Sequence, residues 1–275
     1  MLVVALLPDR IRRARLAEGL RGLAVVQFCD RLEEFERLAL GPRVSAVVAA
    51  SADASGHAVA PRLRTIKEAL AELAVIAYVD AGADLSQDVV AMVKAGAEGI
   101  LYVNAFDSPV AVRKVFDASR VACVAAISWE SICSMLPQRV RPAAEYCLRN
   151  GNRPLSVDEV ALVHGVHRKT LFNRFRDSCG MAPSTFMSWC RLVAVADAIA
   201  EGQCSFESTA LRYEFPSAGA LRAMLTRYLR VRPQQLRASG GSRFVLRRFA
   251  LALEAARSSS AVPQPHRPAQ ALLAG

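Results

Sequence analysis

Along the first half of the chain, hydrophobic residues come in short unbroken runs separated by amphipathic stretches of helical spacing. The runs at 2–7, 24–28, 45–49, 74–79 and 99–103 are apolar at nearly every position, Gln27 and Ser45 aside. A strand with water on one face alternates apolar and polar residues. A strand apolar at every position is covered on both faces, as in a parallel sheet flanked by helices. Between the runs, 11–21, 31–40, 61–72, 86–95 and 109–120 carry helical periodicity. Five such strand–helix units predict a doubly wound, flavodoxin-like five-stranded parallel sheet.

The period changes after residue 122. Residues 123–136 (CVAAISWESICSML) predict a helix carrying Ile127, Trp129, Ile132 and Leu136. That stripe suits a domain-joining helix, a dimer-forming helix, or one packed on its own sheet. Pro137 and Pro142 break the chain; Pro142 then opens a helix that ends at Gly151. The segment 155–186, LSVDEVALVHGVHRKTLFNRFRDSCGMAPSTF, reads as helix, tight turn, helix. Ser156 is an N-cap, and Glu159 three residues later completes a capping box. Val157, Val160, Ala161 and Val163 give the first helix a core face. Gly165 supplies the turn because only glycine takes positive φ cheaply. His167 stands at the cap of the next helix, which runs from Arg168 to about Ser178. There Leu171 and Phe175 point inward, and Arg168, Lys169, Phe172, Asn173 and Arg176 share the opposite face.

A helix anchored by its apolar back and presenting basic and polar groups is the device that enters a DNA groove. Asn reads adenine bidentately, a Phe edge meets a thymine methyl, and Arg or Lys reach phosphate or guanine. A solvated charged face is the alternative reading of the same pattern.

Charge favours the groove. The 275 residues carry a net charge of +10. Residues 1–125 hold 15 basic and 15 acidic side chains, so the remaining 20 and 10 place the whole excess in the second half. A neutral half joined to a basic one suggests a regulatory or assembly domain beside a polyanion-binding domain. The seven cysteines are scattered and form no Cys-x-x-Cys pair, which points to reduced thiols in a cytoplasmic protein. No apolar run approaches a membrane span, and the N-terminus lacks the basic region and cleavage site of a signal peptide. His164 and His167 have no Cys or acidic partner at zinc spacing, so no metal is expected.

These landmarks carry a resemblance. LSVDEVALVHGV, TLFNRF, Gly180, Pro183, Phe186, Arg191-Leu192, STALRYEFPS and VRPQQLR with Pro233 and Arg237 fall in order over 142–238, and this stretch resembles the AraC/XylS-type DNA-binding domain. The resemblance implies a bacterial transcription regulator with two helix-turn-helix units joined by a long helix, each entering one of two successive major grooves. Carried over by position, base readout falls to Lys169, Phe172 and Asn173. The second unit departs from the pattern: Glu214 stands where a turn glycine is expected. Its recognition helix, 217–227, offers Arg222 and Thr226 outward, with Arg227 following and Ala223 where the family often has Arg. The expectation is unequal halves, the first reading bases and the second mainly gripping backbone.

Residues 1–122 resemble the receiver domain of response regulators, with AGAEGILYV as the last helix-to-strand passage. Receiver chemistry needs acidic residues after the first and third strands to hold Mg²⁺ and accept phosphate. Val4-Ala5-Leu6-Leu7 and Val48-Ala49-Ala50-Ser51 stand there instead, with Asp9 and Asp53 too late. His57, Asp53 and Asp80 read as loop groups, and no cofactor is expected.

The expected organisation is α/β plus all-α: a receiver-like domain over 1–122, a helical connector over 123–141, a DNA-binding domain over 142–238, and over 239–275 a basic helix (243–257) with a disordered tail. The expected function is a non-enzymatic regulator binding double-stranded DNA, homodimeric through its N-terminal domain or connector, with RNA polymerase as a candidate partner. Two alternatives stay open here: a phosphorylation-switched response regulator, and a partner-binding adaptor whose helix-turn-helix has lost specific DNA binding.

Overall fold

The structure is a computed structural model that describes all residues except 42–43, 81–84, 203 and 262–275, the last being most of the expected disordered tail. Its first half alternates strand and helix: β1 (Leu2–Leu6), α1 (Arg10–Gly19), β2 (Val25–Cys29), α2 (Leu32–Ala39), β3 (Val44–Ala49), α3 (Ala60–Ala69), β4 (Ala74–Val79), α4 (Leu85–Lys94) and β5 (Gly99–Tyr102). All strand pairings are parallel, in the order β2-β1-β3-β4-β5, the expected doubly wound arrangement. Hydrophobic runs follow position in the sheet. All six residues of interior strand β4 are buried, whereas edge strand β2 leaves Val25 exposed. One core, with Leu16 and Phe116, lies on one face; a second, with Phe35, Leu63 and Met92, lies on the other.

The expected pair of helices at 109–120 and 123–136 is a single helix, α5 (Pro109–Ile132), followed by one 3₁₀ turn, Cys133–Met135. The physical reason is plain in the sequence: no Pro or Gly lies between Pro109 and Pro137, so nothing stops the helix once Ser108 has capped it. The expected boundary at 122 falls inside it. Val112, Phe116 and Cys123 join the sheet core, while Val121, Ala125 and Ile132 join the core of the helical half. Ile127 packs on the first and Trp129 on the second, so the stripe read in the sequence serves both sides.

The helical half comprises α6 (Arg141–Arg149), α7 (Val157–Val163), α8 (Arg168–Cys179), α9 (Pro183–Glu201), α10 (Phe206–Arg212), α11 (Ala218–Leu229), α12 (Pro233–Ala238) and α13 (Gly241–Ala261). Helix α9 is apolar nearly all round, and 13 of its 19 residues are buried, including Met187 and Trp189. The basic helix expected at 243–257 is four residues longer at its C-terminus and two at its N-terminus, and it completes this core. Phe249 is fully buried, stacked on Trp189 with centroids 5.4 Å apart and edge-on to Phe186 at 5.1 Å. Asp197 of α9 caps it, accepting from the Ser242 amide at 2.6 Å. Arg237, the last landmark of the motif, donates through Nε to the Ile199 carbonyl at 3.1 Å, covering the C-terminal end of α9.

Arg191 is buried on α9, donates to the Tyr213 carbonyl at 2.6 Å and lies over the Phe215 ring at 4.1 Å. Burial pulls its pKa down to about 10, with Glu214 opposing. This anchor holds the turn of the second unit, where Glu214 takes φ 52. Three ion pairs tie the halves together: Asp117–Arg212, Arg120–Glu201 and Glu72–Arg243.

Truncating Phe249 to Ala removes a fully enclosed ring and is expected to lower unfolding free energy by about 3–5 kcal/mol in urea denaturation. Glu214→Gly relieves a left-handed residue costing about 1–2 kcal/mol, against about 0.4–1 kcal/mol from the freer unfolded chain. A net gain of roughly 0.5 kcal/mol is expected in the same assay.

Candidate nucleic-acid interface

In the first unit, Ser156 Oγ accepts from the Glu159 amide at 3.0 Å, as an N-cap should. The reciprocal half of the expected capping box is not made. Glu159 Oε1 instead accepts from Arg153 at 2.5 Å and from the Tyr146 hydroxyl at 3.2 Å. Those bonds, Arg153 first, hold its carboxyl below the usual range against the opposing pull of burial. The charged pair gives a stronger bond than a backbone amide offers. Val160 and Ala161 of α7 are buried and Val157 packs beside them, but Val163 is 51% exposed, so it is no part of the core face. A seven-residue helix turns its last residue away from the face its first residue shares.

Gly165 takes φ 60 with nothing within 4 Å of a would-be Cβ, so conformation alone demands glycine. His167 caps α8 through Nδ1, which accepts from the Lys169 amide at 3.2 Å. Leu171 and Phe175 are buried, Phe175 edge-on to Phe186. Arg168, Lys169, Phe172, Asn173 and Arg176 are all exposed, in two adjacent stripes along one face. Arg168 reaches Asp158 at 3.2 Å, with both side chains 66% exposed. Such a pair is worth at most about 1 kcal/mol and exchanges readily for a phosphate.

The second unit repeats this build. Ser205 caps α10, accepting from the Ser208 amide at 3.0 Å, and Ser217 caps α11, accepting from the Ala220 amide at 3.1 Å. Leu221 and Leu225 are buried where Leu171 and Phe175 are in the first unit. That register places Ala218 and Gly219 opposite Arg168 and Lys169, Arg222 opposite Phe172, Ala223 opposite Asn173, and Thr226 opposite Arg176. Arg222, Thr226 and Arg227 are exposed. The two arginines lie against rings, Arg222 over Phe206 at 5.3 Å and Arg227 over Tyr228 at 5.5 Å. Sequence reading passed over two leucines: Leu162 and Leu211, each six residues after a serine cap, are 81% and 78% exposed beside their turns. Only the repeat of the unit marks them.

At the sheet's carboxyl end the carboxylates serve structure. Asp9 caps α1, accepting from the Ile11 and Arg12 amides. Asp53 accepts from the His57 and Ser55 amides, which hold its pKa down. Asp80 pairs with Arg12, whose guanidinium also donates to the Tyr78 carbonyl at the end of β4. Asp107 accepts from the Tyr78 hydroxyl at 2.8 Å and the Asn104 amide at 3.0 Å, and pairs with Arg15. Among the described residues, no three His, Cys, Asp or Glu gather as a metal set, and no helix is long and apolar enough to cross a membrane. Five of the seven free thiols are buried.

Residues 155–239 match the family model of a helix-turn-helix domain, of AraC type. No curated protein matches the chain. Among solved structures, a response regulator from Burkholderia pseudomallei is 15% identical with a TM-score of 0.37, covering 63% of this chain and 96% of its own. RcsB from Salmonella enterica serovar Typhimurium, bound to promoter rprA, is 14% identical with a TM-score of 0.35, covering 64% and 89%. FixJ from B. japonicum is 16% identical with a TM-score of 0.33, covering 82% and 96%. Residues 155–239 form a helix-turn-helix domain of AraC type.

Proposed function

We propose that the two units divide the work on double-stranded DNA, α8 reading bases and α11 mainly holding backbone. The observation that carries this is the register between the helices. Where α8 offers Arg168, Lys169 and Asn173, α11 offers Ala218, Gly219 and Ala223. Lys169, Phe172 and Asn173 are the base readers in this reading, with Arg168 and Arg176 placed for phosphates. Gly219 has only the Ser217 hydroxyl near a would-be Cβ, at 3.5 Å, so packing does not require its smallness. A bare first turn lets helix N–H groups approach a phosphate closely, which suits backbone gripping. Arg222 and Arg227, steadied by their rings, and Thr226 add contacts that position without specifying.

The sheet-bearing part, in the same proposal, sets oligomeric state or relays a signal without being phosphorylated, and RNA polymerase is the candidate downstream partner. Its support is that each carboxylate there is already engaged: Asp9 and Asp80 share Arg12, whose guanidinium also donates to the Tyr78 carbonyl, Asp53 holds its own turn, and Asp107 holds Tyr78 and Arg15.

Asn173→Ala is expected to cost about 1–3 kcal/mol of discrimination between the cognate site and a variant at its contacted base pair. Weak, salt-dependent binding to any duplex should persist. Fluorescence anisotropy with each half-site scrambled separately checks the division of labour; equal losses from the two scrambles would refute it. Acetyl phosphate with Mg²⁺ should leave the intact mass unchanged, and a gain of one phosphate would restore the phosphorylation switch.

A further inference from the structure

A cleft of about 330 Å³ opens where the amino-terminal ends of β3 and β4 meet the middle of α5, the end of α9 and the first turn of α13. Neither recognition helix lines it. It also lies at the opposite end of the strands from the carboxyl edge, where open parallel sheets usually bind ligands. Its volume sits at the lower end of the ~300–1,000 Å³ typical of small-molecule sites.

The lining has an apolar part and a charged part. Leu70, Leu73, Val124, Ile127 and Leu246 supply the apolar wall. The charged groups are Arg120, Glu201, Asp197, Glu72 and Arg243. Arg120 grips both Glu201 oxygens at 2.6 and 3.0 Å, with side chains only 12% and 23% exposed. That pair is a strut between the two halves of the chain and is already satisfied. Asp197 accepts from the Ser242 amide and faces the N-terminus of α13, whose partial positive charge offsets it. Among the described lining residues, one cation and one anion remain, Arg243 and Glu72, side by side at the cleft and 71% and 51% exposed. An exposed pair of this kind contributes about 0–1 kcal/mol, so it parts readily.

A ligand with one charge that enters between Glu72 and Arg243 would satisfy one and leave the other partly covered without a partner. A ligand carrying both charges on neighbouring atoms satisfies both. The apolar wall then needs an apolar body attached to the same end. We propose that this cleft binds a free apolar α-amino acid, its ammonium on Glu72, its carboxylate on Arg243, and its aliphatic or aromatic side chain against Leu73, Val124 and Ile127. The site is independent of DNA binding, because none of these groups lies on α8 or α11.

The test is calorimetric titration of the full chain, without DNA, with L-leucine and L-phenylalanine. Two analogues of leucine run beside them: 3-methylbutylamine, which lacks the carboxylate, and 4-methylpentanoate, which lacks the ammonium. At least one amino acid should bind saturably, and each single-charge analogue should bind about ten-fold or more weakly. Glu72→Gln and Arg243→Gln should each weaken the amino acid by about ten-fold or more, with the unfolding midpoint unchanged because the pair is exposed. Absence of saturable heat with both amino acids at millimolar concentrations overturns the proposal. So does an analogue that binds as tightly as the amino acid, or binding indifferent to both glutamine variants.

Discussion

Helix α9 has almost no face left for water, and the arrangement of the helical half follows from that. A surface helix needs cover along one stripe; α9 needs it all round. Helices α5, α6, α12 and α13 supply it, together with α8, α10 and α11 of the two units. Each helix-turn-helix is therefore fixed to one rod by burial, and the spacing of α8 and α11 is a property of that rod. The only large charge α9 buries is Arg191, and it is directed at the Tyr213 carbonyl and the Phe215 ring, in the turn of the second unit. Burying a guanidinium is costly unless it finds partners, so the turn and the rod constrain each other.

Much of this was legible in the chain. The five apolar runs, the order of sheet and helix, the buried Leu171 and Phe175, and the exposure of every candidate DNA-contacting residue follow from periodicity and turn chemistry that act over a few residues. What was not legible depends on partners distant in sequence. The spacing of Glu159 from Ser156 predicts the second half of a capping box; only the fold shows Arg153 and Tyr146 within its reach. Val163 looked like core because it is apolar, but the short α7 turns it outward. The boundary at 122 marks the reach of the receiver resemblance, whereas the helix there runs on to Ile132 because no Pro or Gly stops it.

The two helix-turn-helix units show how one architecture tolerates different chemistry. Every helix in them has a side-chain cap, Leu171 and Phe175 are matched by Leu221 and Leu225, and Gly165 and Glu214 both take positive φ. Glutamate in that position is strained, yet Arg191 and Phe215 over-determine the turn around it. Packing thus gives the second unit the shape of the first while its outward face carries fewer polar side chains. The shape is held from inside, and the outer face is free to change.

The unbroken α5 has a consequence for how such a protein arises and changes. A regulator whose parts are joined by a flexible tether can exchange one input module for another, since neither depends on the other to fold. Here Val121, Ala125 and Ile132 complete the core of the DNA-binding half from a helix that begins on the sheet. Cutting at the apparent seam would strip that half of part of its interior. The two halves therefore share one interior across α5, and any replacement for the sheet-bearing part would have to supply these three side chains as well.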